Sequence, residues 1–136
     1  MSKTVILASA RTPIGKMGGA LSSVDATSLG AIAIEAALAR ADVEPEQVDH
    51  VVMGQVLQAG QGQIPSRQAQ IKAGIPKDVS SETVNKVCAS GLRASVILDQ
   101  AILDQLMCSH ISIHFHCSSQ QSLSRFHAQR KVCSRQ

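Results

Sequence analysis

One cysteine stands in a segment whose residue types suit nucleophilic chemistry. Cys88 lies within residues 85–94 (NKVCASGLRA), where an extended stretch ends and small residues open a helix. This pattern predicts a sulfur near a helix N-terminus, where backbone N–H groups and the helix dipole favour the thiolate. A thiolate beside N–H donors is what thioester exchange requires. Cys88 is therefore a candidate nucleophile, although an inert buried thiol is the more common role of a lone cysteine.

A second group of reactive side chains is concentrated near the C-terminus. Five residues that commonly bind metals fall within ten positions: Cys108, His110, His114, His116 and Cys117. Zinc sites use cysteine and histidine, but their ligands come as spaced pairs organised by turns, and this segment has no such pairs. We predict no metal site, and metal binding by this segment is kept only as an alternative.

The elements that must position Cys88 alternate between strand and helix. Extended apolar runs are predicted near 4–8, 48–56 and 79–87, and helices over 25–40, 65–73 and from 88 onward. Asp25 is a predicted N-cap and Gly74 a predicted left-handed stop. The order β-α-β-α-β-α predicts an α/β fold on a mixed, mainly parallel sheet.

Helical spacing also predicts which side chains enter the core. The predicted core positions are, on the first helix, Leu29, Ile32, Ala33 and Ala36 and, on the last, Leu92, Val96 and Ile97.

The character of the sequence changes near residue 105. Residues 1–105 hold nine Lys/Arg and ten Asp/Glu, a net charge of −1, whereas 106–136 hold four Lys/Arg and no acid. The second segment is rich in Ser, His, Cys and Gln and shows only a brief alternation around His110–His116. We predict one domain over 1–105 and an irregular tail over 106–136, out of frame or disordered.

Composition also excludes several functions. The nearly neutral first 105 residues give no reason to expect binding to nucleic acid or to an anionic membrane. No apolar run is long enough for a membrane helix, and the N-terminus lacks an export leader, so a cytoplasmic location is expected. A disulfide framework is not expected in that compartment.

Several ordered segments are similar to the thiolase family, the acetyl-CoA acetyltransferases and 3-ketoacyl-CoA thiolases. Besides 85–94, they are 10–16 (ARTPIGK), 52–56 (VMGQV), 60–69 (GQGQIPSRQA) and 74–76 (GIP). The resemblance runs from about Lys3 to Leu103. It implies the N-terminal part of a thiolase fold, in which two α/β halves stack as five layers around the helix that begins at the active cysteine.

The resemblance implies a specific chemistry. Cys88 would accept an acyl group as a thioester, with its own backbone N–H in an oxyanion hole. The reaction would be the condensation of two acetyl-CoA to acetoacetyl-CoA or the thiolysis of a 3-ketoacyl-CoA. Coenzyme A thioesters would be substrates, no metal or prosthetic group would be needed, and the protein would be a homo-oligomer, a dimer or a tetramer.

The sequence departs from the family after residue 105. The Ala-Gly-Gly-x-Glu-Ser segment, the Asn-Glu-Ala-Phe-type loop, the Gly-His-Pro histidine and the Cys-x-Gly-Gly-Gly segment are absent. Without that histidine and second cysteine we expect no meaningful thiolase turnover. Without the family's fourth strand and second half we expect an open central strand edge, exposed apolar surface and poor solubility. The alternative is a non-enzymatic half-thiolase that pairs with an intact subunit.

Overall fold

The computed structural model describes residues 4–104, 111–117 and 126–130. These residues form an α/β fold, as the alternating pattern predicts. Its elements in chain order are β1 (Ile6–Ala8), α1 (Ala26–Ala41), a 3₁₀ turn (Pro45–Gln47), β2 (Val48–Gln55), α2 (Pro65–Lys72), β3 (Ser80–Val84), α3 (Ser90–Leu103), β4 (Ile111–Cys117) and β5 (Phe126–Arg130). Among these residues no helix is both long and apolar enough to cross a membrane.

The five strands form one mixed sheet in the order β1-β5-β4-β2-β3. The interior strand β2 is parallel to both of its neighbours, β3 and β4, whereas β5 is antiparallel to β4 and to β1. The register of β2 and β3 runs from His50 opposite Ser80 to Gly54 opposite Val84. The carboxyl ends of these two strands are therefore level, and the segment that follows β3 begins beside the end of β2.

Two strands lie in the segment for which an irregular tail was expected. β4 and β5 fall within 106–136 and lie between β1 and β2 in the described sheet, while β1 stands at the edge of that sheet beside β5. The open strand edge expected from the sequence stays a prediction. The short alternation from Ile111 to Cys117 is the local signal for β4, because alternating apolar and polar residues favour a strand. The predicted boundary at residue 105 stays a prediction.

The two faces of β2 carry different helices. Val51 and Met53 belong to a core cluster with α1 and α2, whereas Val52 packs with Ala94 and Leu98 of α3. Successive side chains of a strand point to opposite faces, so one apolar run serves both layers. The sheet is thereby covered by α1 and α2 on one face and by α3 on the other.

Helix α1 begins and ends as its sequence predicts but buries a different face. Asp25 is the N-cap and accepts a hydrogen bond from the Ser28 N–H at 2.8 Å. Ala33 is buried as predicted, yet Ile32 is 52% exposed. The buried residues of the helix are Thr27, Gly30, Ala31, Ala33, Ile34, Ala37 and Leu38. The buried arc is displaced from the predicted one because α1 packs on both the sheet and α2.

Helix α3 differs from its prediction in the same way. Leu92 and Val96 were predicted to be core residues, but both are exposed, Leu92 by 70%. The buried positions of this helix are Ser90, Gly91, Ala94, Leu98 and Ile102. They recur every three to four residues along one face, and this is the face that contacts β2.

Candidate active site

Cys88 lies in the turn that joins β3 to α3. It is a free, solvent-exposed thiol, and it precedes the first helical residue, Ser90, by two positions. The helix was expected to begin at the cysteine itself. The N-cap is Ala89, whose side chain cannot cap the helix, so the cysteine sits just before the start of α3. A substrate can reach an exposed sulfur at this place, whereas it cannot reach a buried structural thiol.

Asn85 ties this turn to the end of β2. Its side-chain Oδ1 accepts a hydrogen bond from the Val87 N–H at 2.9 Å, and its Nδ2 donates to the Val56 carbonyl at 2.9 Å. One amide therefore bridges two chain segments that are far apart in sequence. The turn that carries Cys88 is held against the carboxyl end of the sheet as a result.

Ser90 closes the turn from the helix side. Its hydroxyl is fully buried, donates to the Val87 carbonyl at 2.6 Å and accepts from the Lys86 N–H at 2.8 Å. Two backbone bonds support it, from the Ala89 N–H to the Lys86 carbonyl and from the Ser90 N–H to the Val87 carbonyl. The residues on both sides of Cys88 are thus fixed by hydrogen bonds.

Val87, immediately before the cysteine, has a φ of 48°. This left-handed conformation is unfavourable for a β-branched residue because Cβ crowds the backbone. Strained residues of this kind persist only where their surroundings hold them, and they cluster at functional sites. The strain lies in the peptide that leads directly to Cys88.

Gly54 allows the start of α3 to touch the sheet. A Cβ at this position would lie 2.5 Å from the carbonyl carbon of Ser90 and 2.7 Å from the nitrogen of Gly91. Any side chain would therefore push the helix away from β2. The resemblance singled out residues 52–56, but the sequence alone did not show that Gly54 makes this contact.

The loop before β3 is held by two side chains of α2. Arg67 Nη1 donates to the Val79 carbonyl at 2.7 Å, and its Nη2 donates to the Lys77 carbonyl. Gln70, fully buried, donates to the Pro76 and Val79 carbonyls at 2.9 and 3.0 Å. The carbonyl partners of Arg67 lie ten and twelve residues away in sequence, so no local pattern could reveal them.

A hydroxyl pair then fixes α2 on β3. Thr83 donates to the Ser66 hydroxyl at 2.8 Å and accepts from the Ser66 N–H at 3.1 Å. Ser66 is fully buried. These contacts and those of Arg67 set the position of β3, and through it the position of the Cys88 turn.

His50 does not belong to the Cys88 site. Its Nε2 lies 3.2 Å from Glu82 Oε1, and it pairs with Ser80 at the amino end of β3. Cys88 follows the carboxyl end of the same strand, and four residues of parallel strand span about 13 Å. The side chain of His50 is mostly covered.

The clearest electrostatic perturbation lies at the start of α1, which packs on the face of the sheet opposite α3. Hydrogen bonds from Thr27 and Ser28, with a further one from Lys72, hold the pKa of Asp25 well below its usual range. The Lys72 ammonium lies 3.0 Å from Asp25 Oδ1, 2.7 Å from the Thr27 hydroxyl and 2.8 Å from the Ser28 hydroxyl. This cluster joins the start of α1 to the end of α2, which indicates a structural role.

The Cys and His side chains of the tail, kept only as an alternative metal site, lie outside the residues whose side chains are described. Cys108 and His110 fall between the described ranges, and β4 supplies only the backbone of the other three. Within the described side chains, no group of three or more His, Cys, Asp or Glu residues is arranged to hold a metal ion. Metal binding by the tail stays an untested alternative.

The sequence and the fold are similar to those of known proteins. Residues 4–127 match the family model "Thiolase, N-terminal domain". An acetyl-CoA acetyltransferase of Cupriavidus necator is 55% identical over 103 residues, which are 76% of this chain and 26% of that protein. A mitochondrial acetyl-CoA acetyltransferase of Xenopus tropicalis is 50% identical over 110 residues, 81% of this chain and 25% of that protein.

A solved structure agrees with these relatives. The Acat5 thiolase of Ascaris suum, determined in complex with coenzyme A, matches with a TM-score of 0.79 and 33% sequence identity. The match covers 83% of this chain and 29% of that one. The chain thus spans about a quarter of the length of the relatives that it matches.

Proposed function

The chain belongs to the thiolase family, and from this premise we propose that it is the nucleophile-bearing part of an acyltransferase that acts on coenzyme A thioesters. The observation that carries the proposal is the position of Cys88, exposed in the turn that leads into α3. A thiol presented to solvent near a helix N-terminus suits attack on a thioester carbonyl.

The proposed reaction has two acyl-transfer steps. The Cys88 thiolate attacks the carbonyl carbon of acetyl-CoA, the C–S bond to coenzyme A breaks, and coenzyme A leaves as a thiol after taking up a proton. The α-carbon of a second acetyl-CoA, after losing a proton, then takes the acetyl group and forms acetoacetyl-CoA, which releases Cys88. Thiolysis of a 3-ketoacyl-CoA is the reverse sequence.

We propose coenzyme A thioesters as the substrates. The relatives are named acetyl-CoA acetyltransferases, and the Ascaris neighbour was solved with coenzyme A bound. Acyl exchange between two sulfur atoms is chemistry that a thiolate and N–H donors can carry out, so no metal or prosthetic group is part of the proposal.

We further propose that this chain alone does not turn over. The cycle needs a base for the thiol and an acid/base for the second substrate. His50 is too remote for the first role. The chain also covers only about a quarter of the relatives that carry the activity.

One observation supports a second candidate function, a half-thiolase that pairs with an intact subunit. Leu92, Val96 and Leu103 are exposed along one side of α3. Their spacings of four and seven residues place them in one helical stripe. An exposed apolar stripe favours association with another protein and lowers solubility.

Acetylation by acetyl-CoA tests the acyltransferase proposal. The purified chain is incubated with acetyl-CoA, and acetyl groups are located by peptide mass spectrometry, with thiolysis of acetoacetyl-CoA assayed in parallel. We expect acetylation at Cys88, its loss in Cys88→Ala, and no thiolysis. Cys108→Ser is the matched control and should be acetylated at Cys88 as before.

Three outcomes would contradict these proposals. No acetylation at Cys88 would contradict the acyl-acceptor role, and measurable thiolysis would contradict the lack of turnover. Co-purification with an intact thiolase, without acetylation at Cys88, would favour the half-thiolase instead.

A further inference from the structure

We propose that Asn85 and Ser90 are positioning residues that act through the backbone of Val87 to fix the sulfur of Cys88. The inference rests on the proposed role of Cys88 as the acyl acceptor. Neither residue would touch the reacting atoms. Both would act by holding one unfavourable backbone conformation next to the nucleophile.

The conformation of Val87 needs an external cause. Its φ of 48° is unfavourable for a β-branched residue, and its side chain is 63% exposed, so burial does not stabilise it. Apolar packing therefore cannot be what holds this residue in the left-handed region. The polar contacts of its backbone must do so.

Hydrogen bonds hold both peptide groups of Val87. Its N–H donates to Asn85 Oδ1 at 2.9 Å, and its carbonyl accepts from the Ser90 hydroxyl at 2.6 Å and from the Ser90 N–H at 3.1 Å. A change in φ or ψ at Val87 would break at least one of these bonds. Because the Val87 carbonyl belongs to the peptide bond with Cys88, the same change would move the sulfur.

Each of the two side chains is anchored to the rest of the fold. Asn85 Nδ2 donates to the Val56 carbonyl at the end of β2. Ser90 is fully buried, and its backbone lies against Gly54. The contacts of Asn85 and Ser90 thus hold Val87 against β2 and not against a free loop.

Positioning matters here because a nucleophile is sensitive to small displacements. A shift of about 1 Å can lower the rate of an enzymatic step by a large factor. A sulfur displaced from the start of α3 also moves away from the backbone N–H groups at that end of the helix. Cys88 is already exposed, so loosening the turn would make its sulfur little more accessible to a reagent.

The test measures alkylation of Cys88 by iodoacetamide at one fixed pH in the full 136-residue chain. Peptide mass spectrometry gives the rate at Cys88, and Cys108 and Cys133 in the same digest serve as internal references. Asn85→Ala removes both the acceptor for the Val87 N–H and the donor to the Val56 carbonyl, and we expect it to slow the reaction at Cys88 at least about fivefold. Asn85→Asp keeps the acceptor for the Val87 N–H but loses the donor to the Val56 carbonyl, so it should restore only part of the rate.

Ser90 is tested with a matched pair. Ser90→Ala removes the hydroxyl and should slow alkylation at Cys88 by a similar factor. Ser90→Thr keeps the hydroxyl and should be closer to the original rate. Asn85 is exposed, so its variants remain informative if the buried Ser90 variants fail to fold.

A double-mutant comparison separates positioning from general destabilisation. Glycine adopts positive φ with little cost, so in a Val87→Gly background the Asn85→Ala change should lower the rate by less than about twofold. If Asn85→Ala lowered the alkylation rate by the same factor in the original chain and in the Val87→Gly background, that result would overturn the proposal. So would a rate at Cys88 that is unchanged or increased in Asn85→Ala with an unaltered unfolding midpoint.

Acetylation by acetyl-CoA is measured on the same proteins. If alkylation follows the expected pattern but Cys88 is not acetylated in any of them, the positioning of the sulfur is supported and the acyltransferase proposal fails. If Cys88 is acetylated in the original chain but alkylation does not respond to Asn85 or Ser90, the positioning proposal alone fails.

Discussion

Gly54 of β2 lies in direct contact with the backbone of Ser90, the first residue of α3. A Cβ at position 54 would be 2.5 Å from the Ser90 carbonyl carbon and 2.8 Å from its oxygen. These are backbone atoms, which cannot rotate away as a flexible side chain can. The absence of a side chain at this one residue of β2 therefore determines how closely the Cys88 turn approaches the sheet.

Substituting Gly54 should both destabilise the fold and displace the turn. We expect Gly54→Ala to lower the free energy of unfolding by about 2 kcal/mol, as overpacking of a core typically does. Urea denaturation followed by circular dichroism measures the change. Gly15→Ala is the matched control, because a Cβ there meets only the Leu21 side chain at 3.4 Å. Equal stability of the two variants would show that the contact with Ser90 is not tight.

Two leucines of α3 should respond very differently to the same substitution. Leu98 is fully buried against β2, so Leu98→Ala should cost about 3 kcal/mol of unfolding free energy. Leu92 is 70% exposed, and Leu92→Ala should change that free energy by no more than about 0.5 kcal/mol. Chemical denaturation of both variants checks this. A larger loss for Leu92 would mean that the helix buries its other face.

The Asp25 cluster should make stability depend on pH in the acid range. The pKa of Asp25 is lowered in the folded state, so its ionised form stabilises the fold above the unfolded pKa of about 4. That contribution is lost as the pH falls below about 4, because the unfolded chain takes up the proton first. The effect should stay below about 1 kcal/mol, since both Asp25 and Lys72 are substantially exposed.

Asp25→Asn isolates this dependence, because asparagine is also a good N-cap. The original chain should be more stable than the variant at about pH 7, and the difference should shrink as the pH approaches about 3. Urea titrations at several pH values measure it. Asp78→Asn removes the same charge from an exposed loop residue and serves as the control. A difference that grows on acidification would refute the assignment.

Arg67 should protect the loop before β3 from proteolysis. Arg67→Lys keeps the charge but cannot donate to the Val79 and Lys77 carbonyls from one planar group. We expect trypsin to cleave after Lys77 several-fold faster, in line with the loss of about 1 kcal/mol for a hydrogen bond. Arg93→Lys, on the exposed side of α3, should leave this cleavage unchanged. Unaltered cleavage in both variants would mean that Arg67 does not hold the loop.

The sequence alone determined the local features of this protein. Strand–helix alternation, the N-cap at Asp25, the opening of α2 at Pro65 and the left-handed stop at Gly74 all follow from preferences that act within a few residues. The placement of Cys88 between an extended segment and a helix follows for the same reason.

Only the tertiary structure decided which faces and partners these elements use. Helical spacing allows more than one apolar face on α1 and on α3, and contact with the sheet determines which face is buried. On α1, Ile34 is buried and Ile32 is exposed; on α3, Leu98 is buried and Leu92 is exposed. The contact of Gly54 with Ser90 is likewise non-local. Local preferences fix the backbone conformation of an element, but burial is fixed by neighbours that are distant in sequence. The pattern of residues within one element therefore cannot specify which of its side chains are buried.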